Sequence, residues 1–310
     1  MYNIIPWHPA TQHEGNIMNA SVSAPSISHS AMLTEVSLSA WVGRKKDKGA
    51  SAELTSSKHA RAGAAAVNKT LLGDCKELKA LLKFKQGVYQ ENYRRTMPWS
   101  DSGLRLLPTA AYFEYHQRME ALREEYYAMV ETFLEAYEWE VSRAHESLGE
   151  LFNPNEYPTV NSLRGKFRMS ISYIPLPDAG DWRVDIGQQG REVLEQHYQQ
   201  FYQEQLKGAM DDVWDRAYKA LSRMSERLDY ADEGTKKKFH DTLVTNVEDI
   251  IELLGVANIT NDPTMEEARA QLKRALNGVT ASDLRQNDAL RRYTKKSVDD
   301  VIANLPGLGL

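Results

Sequence analysis

One cysteine, Cys75, stands in 310 residues, so no disulfide can close within the chain and a reducing compartment suits it. No stretch approaches the ~18 consecutive apolar residues of a membrane span. The first residues lack the basic start and apolar block of a secretory signal. These absences predict a cytoplasmic protein with no membrane partner. Catalytic signatures are scarce too. No Gly-x-x-x-x-Gly-Lys-Ser/Thr loop occurs; "RGKF" at 164–167 lacks both its spacing and the hydroxyl that would hold Mg²⁺. No Gly-x-Gly-x-x-Gly follows a strand, and no nucleophile elbow is present. The eight histidines are scattered, without the Glu-x-x-His pairs of a di-iron bundle. The expectation is a non-enzyme without metal or cofactor. Cys75 reads as a packed core thiol, and Glu124, Glu125, Glu138 and Glu140 read as a solvated helix face.

Hydrophobic content of 42% and charged content of 26% belong to a soluble globular chain, long enough for one large domain or two ordinary ones. The net charge of −5 conceals a dipole: residues 36–95 hold 13 Lys/Arg against 5 Asp/Glu, and residues 110–160 hold 3 against 11. Either a basic patch and an acidic arm face outward, or the two segments neutralise each other within or between subunits.

Residues 1–31, rich in Ser and Pro and without periodicity, read as a disordered leader, and internal methionines at 18 and 32 place some or all of it outside the folded unit. Residues 32–108 form a basic segment of one strand and helices. In "EVSLSAW", Val36, Leu38 and Ala40 alternate with polar residues as a half-buried strand does. "GRKKDKG" follows as a basic loop, helices over 51–95 break near Gly73 and Gly87, and "TMPWSDSGLRLLP" reads as a loop.

Residues 109–230 hold two long helices with an inserted hairpin. Tyr112, Tyr115, Met119, Leu122, Tyr126, Met129 and Phe133 alternate steps of three and four, an a/d seam of three heptads. The pattern extends towards Leu148, a rod of roughly 60 Å. A second begins near Gln188 and reaches Leu228, and the two predict an antiparallel coiled-coil-like pair. Between them, "KFRMSISYIPLPDAGDWRVDIG" (166–187) reads as a β-hairpin whose first strand turns Phe167, Met169, Ile171 and Tyr173 to one face. An isolated hairpin is marginal in water, so "EVSLSAW" is its expected third strand. Residues 231–310 are helical; "TMEEARAQLKRALNG" opens on a Thr264–Glu267 capping box, and a last helix spans 281–303. The predicted fold is mainly α: long antiparallel helices carrying a three-stranded antiparallel sheet, with a C-terminal helical segment.

Basic residues interleave with aromatics around that sheet. Single-stranded nucleic acid is held by a basic groove with aromatic stacking platforms, and these residue types would serve. The candidates are Arg44, Lys45, Lys46, Lys83, Lys85, Arg94, Arg95, Arg168 and Arg183 for phosphates, with Trp41 and Trp99 as the aromatics free to stack bases. The hairpin aromatics read as core, and "KKK" (236–238) and "RRYTKK" (291–296) as solvated surface.

Four stretches, "LSAWVGRKK" (38–46), "GLRLLPTAAYFEY" (103–115), "YPTVNSLRGKF" (157–167) and "DWRVDIG" (181–187), resemble in order and spacing a family of helical proteins encoded by tailed phages and other mobile elements. The resemblance covers residues 35 to about 230. The family has no established activity, so no catalytic residue carries over. It implies a setting of phage or plasmid DNA replication and recombination, in the cytoplasm of a bacterial host, some members being encoded near a ring-forming ATPase. Two readings follow. One is a non-enzymatic single-stranded DNA-binding protein, forming a homo-oligomer and meeting other replication or recombination proteins. The alternative is a coiled-coil scaffold or adaptor acting through protein contacts, in oligomer assembly or as a partner of a ring ATPase.

Overall fold

A computed structural model describes residues 27–176, 187–229 and 240–306. Strand β1 (Ala31–Ser39) leads into β2 (Arg44–Asp47), helix α1 (Lys48–Ser57), β3 (Val67–Thr70) and α2 (Lys76–Arg95). Strands β4 (Met97–Pro98) and β5 (Arg105–Pro108) precede the long α3 (Tyr112–Leu148). The short α4 (Val160–Arg164) and β6 (Arg168–Pro175) come before the second long helix, α5 (Gly187–Leu228). The C-terminal helices are α6 (Thr242–Ala257), α7 (Pro263–Leu276), α8 (Ala281–Gln286) and α9 (Asp288–Asn304).

An antiparallel sheet of order β4-β5-β1-β6 divides two cores. Strand β1 explains the division, because successive side chains point to opposite faces. Val36 and Leu38 turn with Leu107, Phe167 and Met169 towards α2 and α3, where Tyr115, Met119, Leu122, Tyr126 and Phe133 close the first core. Ala31 and Leu33 turn the other way, with Met97, Trp99 and Leu106, into a core built by α5 and α6–α9. The seam spacing in α3 is thus a packing stripe, laid on the sheet and on α2.

The expected strand partnership is present: β1 and β6 pair over eight positions, from Met32 opposite Pro175 to Ser39 opposite Arg168. The second hairpin strand lies outside the described residues except for Gly187, which opens α5. Among the described residues the sheet has four strands because Leu106 and Leu107, read as loop, pair with β1, and Met97 pairs with Leu106. The basic loop likewise becomes β2, paired antiparallel with β3. Among the described residues the long helices do not share a seam: α3 packs on α2, and α5 on α6 and α9. Helix α2 runs through Gly87 without a break. Asp262 rather than Thr264 caps α7, its carboxylate accepting from the Thr264 N–H, and Asn287 splits the last helix into α8 and α9. Of the expected leader, residues 1–26 lie outside the described residues. Ile27 is fully buried, its N–H donating to the Tyr202 hydroxyl at 3.0 Å, so folded structure begins before residue 32.

Candidate nucleic-acid interface

Cations from three separated stretches lie at and beyond the end of the sheet where β1 finishes and β6 begins. Arg168, the first residue of β6, stands opposite Ser39, the last of β1, and exposed Lys166 lies two residues before it. Beyond Ser39 the chain turns at Gly43, whose positive φ of 61° suits glycine. A Cβ there would lie 2.9 Å from the Leu78 side chain, so only glycine lets β2 start so close to α2. Strand β2 then presents Arg44, Lys45 and Lys46 to solvent. From α2, Tyr89 accepts the Leu38 N–H at 3.0 Å, and Lys85 lies one turn earlier on the same side of the helix.

Among the described residues only Lys45 of these six has an acidic partner, Glu156 at 3.6 Å. Buried Lys69 on β3 occupies the carboxylates beneath, reaching Glu156 at 2.7 Å and Asp47 at 3.0 Å while donating to the Leu151 carbonyl at 2.8 Å. Its hydrogen bond to Glu156, joined by that to Asp47, raises the Lys69 pKa. The Ala50 N–H, followed by Lys69, lowers that of Asp47. An open cleft of about 600 Å³ separates this hairpin from residues 150–156. Apart from Lys45, the outward cations therefore have no acidic partner among the described residues, while the inner Lys69 is neutralised.

The remaining candidates fall elsewhere. Lys83 is exposed but sits two residues, about 200° of helix, from Lys85, and so faces away from it. Arg94 pairs with Glu91 at 3.2 Å and Asp249 at 2.8 Å, and Arg95 with Glu91 and Glu114, both at 2.6 Å. These two arginines join α2 to α3 and α6, which is internal neutralisation. Trp41 and Trp99 are not free to stack. Trp41 lies half-buried against Phe133 and Tyr137, its ring centroid 6.3 and 6.0 Å from theirs. Trp99 is 4% exposed and meets Tyr202 edge-on at 5.6 Å. Arg183 lies outside the described residues. Sequence reasoning passed over Lys166 and Tyr89; the strand register and the Tyr89–Leu38 bond place them.

Elsewhere, Cys75, Glu77 and Glu140 bring a thiol and two carboxylates within 4.8 Å of one another. The thiol donates to Glu77 at 3.6 Å, and Arg143 donates to Glu140 at 3.0 Å. Burial pushes the Cys75 pKa up to about 11, so the thiol remains protonated. Glu140 is buried, contrary to its reading as a solvated face. Among the described residues no helix is long and apolar enough to cross a membrane. No family model, curated protein or solved structure matches this chain.

Proposed function

We propose that this is a non-enzymatic nucleic-acid-binding protein that holds phosphates at the basic end of its sheet. The observation that carries the reading is the set of outward cations at and beyond the end of the sheet, with Arg168 opposite Ser39, Lys166 just before it, Arg44, Lys45 and Lys46 on the following β2, and Lys85 on α2, and with one acidic partner among the described residues. Phosphate contacts of this kind supply affinity without sequence preference. With Trp41 and Trp99 packed inside, charge rather than indole stacking does the holding. The resemblance to phage and mobile-element proteins supports a setting of DNA replication or recombination in the cytoplasm of a bacterial host, and we take single-stranded DNA as the ligand.

Fluorescence anisotropy of a labelled single strand of about 30 nucleotides, titrated across a salt series, tests this. Affinity should fall steeply with salt, by about 0.7 in the log–log slope per phosphate contacted. Arg44→Ala with Lys46→Ala should shallow that slope. Arg94→Ala with Arg95→Ala should leave it unchanged. Absence of binding at low salt would refute the proposal.

One observation favours a second reading, an adaptor working through protein contacts. Near the start of α5, Val193 is 52%, Leu194 37% and Phe201 44% exposed, while Tyr198 packs against the core. Such an exposed apolar stretch is a natural contact for a second copy or for another replication protein. Sedimentation of the full chain, with and without Val193→Glu and Phe201→Glu, measures self-association directly.

A further inference from the structure

Among the described residues, half of one sheet face is uncovered, and it adjoins the basic end. On the α5 side, Ala31 and Leu33 are buried beneath the helices, but the next outward residues of β1, Glu35, Ser37 and Ser39, are exposed. Strand β6 continues this open face with Arg168, Ser170 and Ser172. The register makes it regular: Ser37 faces Ser170, Ser39 faces Arg168 and Glu35 faces Ser172. The result is a ledge two strands wide, about 10 Å across and about 14 Å long, closed at its inner end by the α5 layer.

Charge selects the occupant. Arg168 stands on the ledge, Lys166 just before it, and Arg44 beyond Ser39 at the same end. Glu35 marks the inner end, and the acidic helix α3 lies behind the sheet, on its opposite face. A polyanion is therefore drawn onto the open end and repelled from the rear. Open strand faces usually carry β-branched or long side chains. Here the side chains between the charged ends are short hydroxyls, which let a phosphate backbone approach the sheet closely and which donate to phosphate oxygens.

We propose that this ledge is the track of the nucleic acid: the backbone of one strand enters over Arg44, Lys166 and Arg168 and runs inward across Ser37, Ser39 and Ser170. The α5 layer closes the ledge at its inner end, and a surface only two strands wide seats one phosphate backbone, which makes the ligand single-stranded. This inference rests on the nucleic-acid reading above and adds the path and strandedness to it.

The test is anisotropy with a labelled oligothymidylate and a duplex of equal length. Ser37→Glu combined with Ser170→Glu places two anions on the ledge; Thr245→Glu combined with Asn246→Glu places the same charge on α6, away from it. The ledge variant should lose at least tenfold in single-strand affinity, the α6 variant less than threefold, and wild type should prefer the single strand. Far-ultraviolet circular dichroism checks that each variant folds. Should the ledge variant fail to fold, Arg168→Ala decides instead, with an expected drop of about 0.7 in the salt slope. Equal losses in both variants, an unchanged Arg168→Ala slope, or equal affinity for duplex would overturn the track while leaving nucleic-acid binding standing. Failure of wild type to bind either probe at low salt would overturn the functional reading itself.

Discussion

The Arg216 guanidinium lies over the Tyr93 ring, 3.9 Å from its centroid, and ties α5 to the end of α2. The same group donates to the carbonyls of Tyr93 at 2.8 Å and Thr96 at 3.0 Å and pairs with Asp212. Tyr93 returns the contact through its hydroxyl, which donates to Asp212 at 3.1 Å. Arg105 covers the ring as well, at 4.8 Å. The final carbonyls of a helix have no partner within it, and a cation there satisfies them and complements the helix dipole.

Removing this clamp should be costly. Arg216→Met leaves the Asp212 carboxylate without its cation, held only by the Tyr93 hydroxyl, and strips the Arg216 donor from the Tyr93 carbonyl, while Arg105 still donates to that of Thr96 at 2.9 Å. A loss of about 2–4 kcal/mol is expected in urea unfolding. Arg216→Met combined with Asp212→Leu should recover part of it, since no charge is then stranded. A double variant no more stable than the single one would show that the clamp is not the source.

Lys69 should confer a pH window on the β2–β3 hairpin. The Asp47 pKa is lowered below its ordinary 3.8, so its contribution is present above that value and fades as pH falls through the depressed one. The Lys69 pKa is raised above 10.5, so its contribution is complete below that value and is lost as pH rises through the higher one. Amide exchange at Val67–Thr70, corrected for intrinsic rates, should give flat protection between about pH 5 and pH 9 and less outside it. Lys69→Met should abolish both the protection and the window.

Cys75 should be silent to thiol reagents in the native state. It is 2% exposed, and with a pKa near 11 only about one thiol in a thousand is ionised at pH 8. Labelling by a chromogenic disulfide should be at least a hundredfold slower than in urea. Rapid native labelling would contradict the burial.

Period decided what the sequence revealed. The three-four spacing from Tyr115 to Phe133 fixed a buried stripe, and the alternation in "EVSLSAW" and "KFRMSISY" was enough to predict the β1–β6 pairing, because a slip of one residue would put Val36 and Met169 in water. Strands β2 and β3 carry no such alternation; an ion pair beneath them does the holding, through Glu156, far along the chain. Leu106 and Leu107 were hidden among prolines and turn formers. Trp41 and Trp99 were assigned to the surface because their covers, Phe133 and Tyr202, come from helices distant in sequence. The basic residues are legible as types, but only the strand register and the ion pairs separate those left outward, such as Arg168, from those, such as Arg94, already consumed.

The alternating allegiance of β1 has a thermodynamic corollary. Leu33 belongs to one core and Val36 to the other, within a single strand. Neither cluster can melt without stripping a face from the wall that the other leans on. Chains with two hydrophobic centres commonly lose them in separate steps; this one is built to lose both at once, in a single cooperative transition seen alike by every spectroscopic probe.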